Sequence, residues 1–542
     1  MGRGDHLVEA GDVTTLKKAA LVGTARLTGM PATGTPVDDL VAGIEDLALE
    51  RRVLLTAGML SIFRRAGYVP PAAASLPAPA PTETLPPCSQ GAAWALGDLF
   101  IDGRLELLPE ACLRLTNAGQ RVPFSLLVDC LDLRDPVHRE AARPVLGERG
   151  VWLARQRAAW EWASARVTHE PDADELKRIW DEGRSDDRLA ALARLRDLDA
   201  AGALALLSSS WKQEPSEFRL SVLAALSARL SRNDEEFLQT ALRDRASAVR
   251  AAAASLLARL PGSTFAARAI ARADTLLDIA RVQPSGMRDR MKATVSRDDQ
   301  RFTVVARPPE WFYPEWESDG IPAKPPKGVG ERAHWLMQAL ALVNPAHWSE
   351  RASVTPFELT RAVWRGEWGA AVSIGWSRAA LLHGAKDWIV ALWDSWLAAD
   401  VGTDPHAEVI RRELLQQLFE QMPPDAAQDR VIALMGNPSL ASDLELESML
   451  GHFAQPWPDV LGTAVLDAIE AAVALGSAAP TVQLSGLIRA AGPALSAGSF
   501  DRALALASRD TVRATITRVA HDFDVFAHQI RLRQRLHQEV AR

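Results

Sequence analysis

Apolar residues recur at three- and four-residue intervals along most of the chain, and this spacing predicts helix over nearly all of it. Thr14 to Arg26 and Asp39 to Arg65 read as a small N-terminal helical unit, residues 1–67. Leu47, Leu54, Leu55 and Ile62 share one face of its second helix, with Arg51, Arg52, Arg64 and Arg65 at the wet margins. The stretch VPPAAASLPAPAPTETLPP, residues 69–87, breaks the pattern. Its prolines remove backbone donors and hold the chain near polyproline II geometry, which predicts a linker or surface strap over 68–90. Helical patterning returns over 91–170, with breaks at Gly119 to Pro123 and at Asp135-Pro136. There Trp152, Trp160 and Trp162 fall beside several arginines, a grouping that packing or cation–π contacts account for without a ligand.

An internal repeat follows in residues 171–275. DDRLAALARL, EFRLSVLAAL and SAVRAAAASLL place Arg188, Arg219 and Arg250 at intervals of 31 residues, each followed by small and aliphatic residues at helical spacing. Second apolar segments and polar breaks, such as SSSWKQEPSE and SRNDEE, lie between the copies. A period in the thirties with two helices per unit requires stacking, because one helical pair alone cannot bury its apolar face. The form V-R-x-x-A-x-x-x-L over Val249 to Leu257 resembles a HEAT repeat. The three arginines are expected to form a structural ladder, pairing with acids of neighbouring repeats such as Asp187 and Asp244; an arginine-lined ligand groove is the alternative. The predicted fold is therefore all-α, a HEAT-like helical-repeat solenoid with a small β-hairpin insertion and long proline-rich loops.

The insertion belongs to residues 276–330. Lys292 to Ser296 and Arg301 to Ala306 are β-prone runs around a turn at Arg297 to Gln300, which predicts a hairpin. A long aromatic and proline-rich loop comes next, then a Trp-rich helical region over 331–542. Ten of the seventeen tryptophans lie between Trp311 and Trp396. Such density serves either a helical core or a docking surface, and Trp364 and Trp368, spaced for one helix face, favour the core.

Charge narrows the partners. With 61 basic and 68 acidic residues the net charge is −7, and lysines are confined to Lys17, Lys18, Lys177, Lys212, Lys292, Lys324, Lys327 and Lys386. No basic tract is available to neutralise a run of phosphates, so nucleic acid is not expected as a partner. Cys88, Cys112 and Cys130 are too few and too irregularly spaced for a disulfide framework or a zinc site, and read as reduced thiols. The first thirty residues lack the apolar core of a signal peptide, and no run of about 18 apolar residues occurs, so a cytoplasmic location without membrane attachment is expected.

Motifs that carry chemistry are missing where they would be recognised. The chain contains no Gly-Lys-Ser or Gly-Lys-Thr, no G-x-S-x-G, no H-E-x-x-H and no EF-hand loop. No cofactor or metal is expected; His521 and His528, near Asp522 and Asp524, are spaced too widely for a compact metal pair. The segment PAKPPKGVGERAHWL, residues 322–336, has the look of a phosphate cradle, with Lys324, Lys327 and Arg332 around the start of a helix at about Glu331. Glu331 supplies the negative group that a helix N-terminus prefers and would repel a phosphate. Lys324, Lys327, Glu331 and Arg332 are thus the tentative partner or anion site, set against a purely structural loop.

ALVGTAR at 20–26, the strap ending in Pro87-Cys88, GERGVWLA at 147–154, the repeats, and KPPKGVGERAHWL at 324–336 together resemble a bacterial family of unknown function. The resemblance implies genes encoded beside MoxR-type AAA+ ATPases, von Willebrand factor A domain proteins and SWIM zinc-finger proteins. The chain departs from it in carrying Arg157 and Ala158, where an Asn-Pro often precedes the tryptophan that here is Trp160. No catalytic residues come with the resemblance. It implies a non-enzymatic scaffold or adaptor working with an AAA+ ATPase and a von Willebrand factor A domain protein. Two other classes stay open: a HEAT-like DNA-binding or glycosylase-type repair protein, and an enzyme with an unrecognised site around Glu331, Arg332 and His334.

Overall fold

Helices supply nearly all the regular structure, as the apolar spacing requires, and the architecture is all-α with one two-stranded antiparallel sheet among the described residues. The computed structural model describes residues 16–17, 21, 23–24, 29–66, 77–164, 171–281, 302–399, 405–436, 446–475, 481–508 and 519–540. The chain divides into two compact units, Met1–Ala80 and Pro81–Arg542.

In the first unit, Asp38 accepts hydrogen bonds from the Thr33 and Gly34 amides at 2.8 and 2.9 Å, fixing the turn into helix Val37–Ala42. These bonds, that of the Thr33 amide foremost, hold the Asp38 carboxyl below its ordinary range. The helix Leu49–Ala66 buries Val53, Thr56 and Leu60, and its apolar pair joins Leu16, Val37 and Val41 in a small core. Thr56 can face inward because its hydroxyl donates to the Arg52 carbonyl at 2.8 Å. This corrects the expected face: Leu54 and Ile62 are 72% and 69% exposed. Most of the helix predicted over Thr14 to Arg26 lies outside the described residues.

The second unit begins with the end of the proline strap. The Cys88 amide donates to the Arg121 carbonyl and the Arg121 amide to the Pro86 carbonyl, at 3.0 and 2.9 Å. Glu83 then accepts from the amides of Glu148 and Arg149, at 2.9 and 3.0 Å, at the start of helix Gly147–Ala154. A carboxylate there satisfies two free donors and meets the positive end of the helix dipole. Gly147 is left-handed, with φ +69°, and a Cβ on it would lie 2.5 Å from the Glu83 carboxylate. The sequence GERGVWLA is thus shaped to receive the strap.

Residues 81–164 enclose one core, built on Leu96, Leu99, Leu108, Leu115, Leu131 and Leu146. Cation–π contacts order its edge: Arg157 lies 4.8 Å from the Trp160 ring and Arg139 lies 5.4 Å from that of Trp162. A second core runs from Leu176 through the helices over 185–276 and the buried tryptophans to Ile530. The helix Ala520–Val540 belongs to both, giving Phe523, Phe526 and Ile530 to the long core and Leu532, Leu536 and Val540 to the other.

Helices Ser185–Leu198, Ser216–Leu226 and Ser247–Arg259 start 31 residues apart, with Ala200–Ser210, Glu235–Ala241 and Thr264–Leu276 following them in turn. The strand predicted at 301–306 is present as β2, Phe302–Ala306, but its partner is β1, Leu277–Arg281, paired from Leu277↔Ala306 to Arg281↔Phe302. The predicted first strand at Lys292 to Ser296 and the turn at Arg297 to Gln300 lie outside the described residues. β1 extends directly from helix Thr264–Leu276, a continuation that a β-propensity count misses because Leu277, Asp278 and Ala280 are weak strand formers.

Trp316, Trp335, Trp348, Trp376, Trp388, Trp393 and Trp396 are all buried, whereas Trp311 is 59% exposed. Trp364 and Trp368 do not share a helix: Trp364 sits in the turn Val363–Arg365, and Trp368 caps helix Gly369–His383. The chain folds back between them, so closely that a Cβ on Gly369 would approach the Val363 carbonyl to 2.7 Å. Trp364 stacks edge-on against Trp396 at 4.9 Å and donates to Ser395 at 2.7 Å.

All three cysteines are free and buried. Burial pushes the Cys112 thiol up to about 12 and the Cys130 and Cys88 thiols upward as well. A thiol-exchange reagent at about pH 8 should therefore find no rapidly reacting cysteine in the native protein. Denaturant should release all three, and a fast native phase would contradict this packing of residues 81–164.

Candidate functional site

The register arginines occupy equivalent places, each on the fourth residue of its helix. Arg188 donates Nε to the Trp180 carbonyl at 2.8 Å and Nη1 to Glu214 at 3.2 Å. Arg219 donates to the Glu214 carbonyl at 3.0 Å and to the Asp244 carboxylate at 3.1 Å. Arg250 donates to the Asp244 carbonyl at 3.0 Å and to the Glu317 carboxylate at 3.3 Å. Each guanidinium thus binds a carbonyl of the preceding turn and a carboxylate ahead of it, and the turn residues Glu214 and Asp244 serve two arginines each. Asp244 is an acid that the sequence reading named; the acid opposite Arg188 is Glu214 rather than Asp187, which lies on the same helix.

Aromatic rings close over this row. The Arg188 guanidinium lies 4.6 and 4.4 Å from the Trp180 and Phe218 rings, and that of Arg219 lies 5.8 Å from Trp211. Side-chain exposure is 3% for Arg219 and 5% for Asp244, but 58% for Glu317 at the last rung.

A second tie, at the opposite ends of these helices, was not legible. Arg196 grips Asp234 with two bonds of 2.9 and 3.0 Å and also donates to the Arg229 carbonyl at 2.7 Å; both side chains are buried. The same Asp234 closes a capping box with Ser231. The register position 31 residues after Arg196 is Ser227, so no repeat signal marked it, and the spacing of Ser231 to Asp234 was the available clue.

The segment 322–336 resolves into two groups. Arg332 donates to the Pro309 and Pro308 carbonyls at 3.2 and 3.1 Å, with its guanidinium 5.6 Å from the Trp368 ring. The His334 ring meets the Pro322 carbonyl at 3.2 Å, and the Trp335 indole donates to the Ala323 carbonyl at 2.8 Å. Burial, ahead of the other influences, lowers the His334 pKa. These three side chains hold the loop. Lys324, Lys327 and Glu331 are exposed and take no partner among the described residues. Helix Glu331–Ala341 starts at Glu331, and Gly330 supplies no side-chain cap. The four residues of the tentative site are therefore not convergent: Arg332 turns into the structure while the lysines face outward.

The same loop carries an aromatic edge. Trp311 and Tyr313 rings lie 6.0 Å apart, Tyr313 and Trp316 5.3 Å, and Phe312 reaches Trp335 at 5.7 Å. The loop is seated on helix Thr264–Leu276 by Asp319, which accepts from Arg268 at 2.7 Å and pairs with Arg272. It is also seated by Gly320, at φ +79°, whose Cβ would come within 2.7 Å of the Ala254 Cβ.

A cleft of about 1030 Å³ lies elsewhere, lined by Trp393, Phe419, Met449, Val482 and the Arg489–Glu447 pair. Among the described residues no group of three His, Cys, Asp or Glu side chains is placed to hold a metal. His528 bonds to Asp102 at 2.7 Å. No described helix is long and apolar enough to cross a membrane.

Removing Arg219 would strand Asp244 in the interior, a loss of about 3–5 kcal/mol. Removing Arg250 leaves a half-solvated Glu317, and the loss from a part-exposed pair is about 1 kcal/mol or less. Urea titrations should therefore place the midpoint of R219A well below that of R250A, and equal midpoints would contradict the graded burial.

Comparison with curated proteins gives no match. The model of a family of unknown function (DUF5691) matches residues 15–540. That span runs from the first unit to the last helix, and the chain belongs to this family.

Proposed function

We propose that the chain is a non-enzymatic, HEAT-like helical-repeat scaffold or adaptor. In this reading it works beside a MoxR-type AAA+ ATPase and a von Willebrand factor A domain protein, in the cytoplasm. The observation that carries the reading is the linked row Arg188–Glu214–Arg219–Asp244–Arg250–Glu317. It ties successive helical pairs in fixed register, the construction by which stacked repeats present extended surfaces to other proteins.

The sequence's own candidates for chemistry are consistent with it. Arg332 and His334, on which an enzymatic reading would draw, bond to loop carbonyls. The register arginines, on which a nucleic-acid reading would draw, meet carboxylates and aromatic rings. Glu310, Glu315 and Glu317 flank the most exposed tryptophan of the Trp-rich region and would repel a phosphate backbone.

Co-expression of the tagged full chain with the two expected partners, purified with and without ATP, should recover a complex. Failure to recover either partner under both nucleotide conditions would remove the adaptor reading.

A further inference from the structure

The loop over residues 308–330 presents two exposed features of opposite sign. On one side Trp311 and Tyr313, 59% and 36% exposed, stand with Glu310 and Glu315 beside them. On the other is Lys324-Pro325-Pro326-Lys327, with both lysines exposed. The two meet across a single indole: Trp335 donates to the Ala323 carbonyl at 2.8 Å and its ring packs 5.7 Å from Phe312, the residue between Trp311 and Tyr313.

Both halves are held rigidly. Proline fixes the backbone at 325 and 326, Gly328 turns it at φ +88°, and the Val329 amide closes the turn on the Pro326 carbonyl at 3.2 Å. Trp316, which underlies Tyr313, is buried beneath the Arg272 guanidinium at 5.3 Å. The side chains of Glu310, Glu315, Lys324 and Lys327 form no ion pair or hydrogen bond among the described residues. Charges of opposite sign are thus displayed on one loop without pairing among the described residues.

We infer that this loop is a self-complementary contact through which two copies of the chain pair about a two-fold axis. In such an isologous arrangement the Lys-Pro-Pro-Lys turn of each copy meets the acidic aromatic edge of the other, so every favourable contact occurs twice. The lysine ammonium groups meet Glu310 and Glu315 and the face of Trp311, and the proline rings lie on Tyr313, the surface on which extended proline segments dock. Because the opposed charges are exposed, pairing weakens as salt rises.

Sedimentation velocity of the full chain, from low to high micromolar concentration, reads this directly. Wild type should form a concentration-dependent dimer. E310K/E315K and K324E/K327E should each weaken dimerisation about tenfold or more, through like-charge opposition, with unchanged circular dichroism. An equimolar mixture of the two variants should restore the dimer, since each reversed surface then finds its complement. A monomeric wild type over the whole range, a dimer indifferent to both reversals, or a mixture that stays monomeric would each overturn the inference. W311A should weaken wild-type pairing, and a full-strength W311A dimer would count against the proposed seat.

Discussion

The second unit depends on one buried tie between residues more than four hundred positions apart. Arg533, 1% exposed on the last helix, donates to Glu110 at 2.6 Å and to the Gly492 carbonyl at 3.0 Å. His537, one turn on, completes the site: its Nδ1 accepts from Arg114 at 2.8 Å, so its Nε2 carries the proton and donates to the other Glu110 oxygen at 2.7 Å. Burial alone would raise the Glu110 carboxyl, but the hydrogen bonds from His537 and Arg533 and the Arg533 charge bring it down to about 2. Its contribution is therefore complete above the ordinary carboxylate value and fades as pH falls from about 4.5 toward 2. Gly492 matters equally, since any Cβ there would collide with Gln529, itself bonded to Glu106 at 2.8 Å. Between these contacts one helix closes both hydrophobic cores, and neither is complete without it.

A buried ion pair by itself is an uncertain source of stability, because desolvation offsets much of the attraction. What the arginines of the repeats add is register. Each rung satisfies a backbone carbonyl at one turn and a carboxylate at the next, so slipping one helical pair would leave a buried guanidinium and a buried acid without partners. The Arg196–Asp234 pair applies the same constraint at the opposite helix ends. A row of ties at one end and this pair at the other restrict rotation of a helix as well as its translation.

How much of this could be read beforehand follows from what sequence spacing encodes. The interval between Arg188, Arg219 and Arg250 is local and periodic, so the helix starts and the place of the arginines on them were visible, as was the helix beginning at Glu331. Glu214, the acid that meets Arg188, carries no such signal, because it lies 26 residues away in a turn that only the fold brings alongside. Leu54 and Ile62 were assigned inward on hydrophobicity, yet Thr56 takes an inward position by bonding its hydroxyl to its own helix. The Arg533 and Glu110 contact has no local signature, since its two halves sit on unremarkable amphipathic helices and only tertiary closure brings them together. For the candidate site the composition of residues 322–336 was legible and its division of labour was not, because whether an arginine faces solvent or a proline carbonyl depends on where the Pro308-Pro309 turn passes.

That division explains why the aromatic loop is both rigid and available. Its structural residues are consumed pairwise: Arg332 by Pro308 and Pro309, Trp335 by Ala323, Asp319 by Arg268 and Arg272, and Gly320 by the flank of helix Ser247–Arg259. The last rung of the arginine row ends on this loop, at Glu317, the one carboxylate of the row left mostly in water. The row therefore does not terminate in the protein interior. It runs from helix Ser185–Leu198, through buried pairs that hold register, to a surface element on which Trp311, Glu310 and Glu315 are exposed.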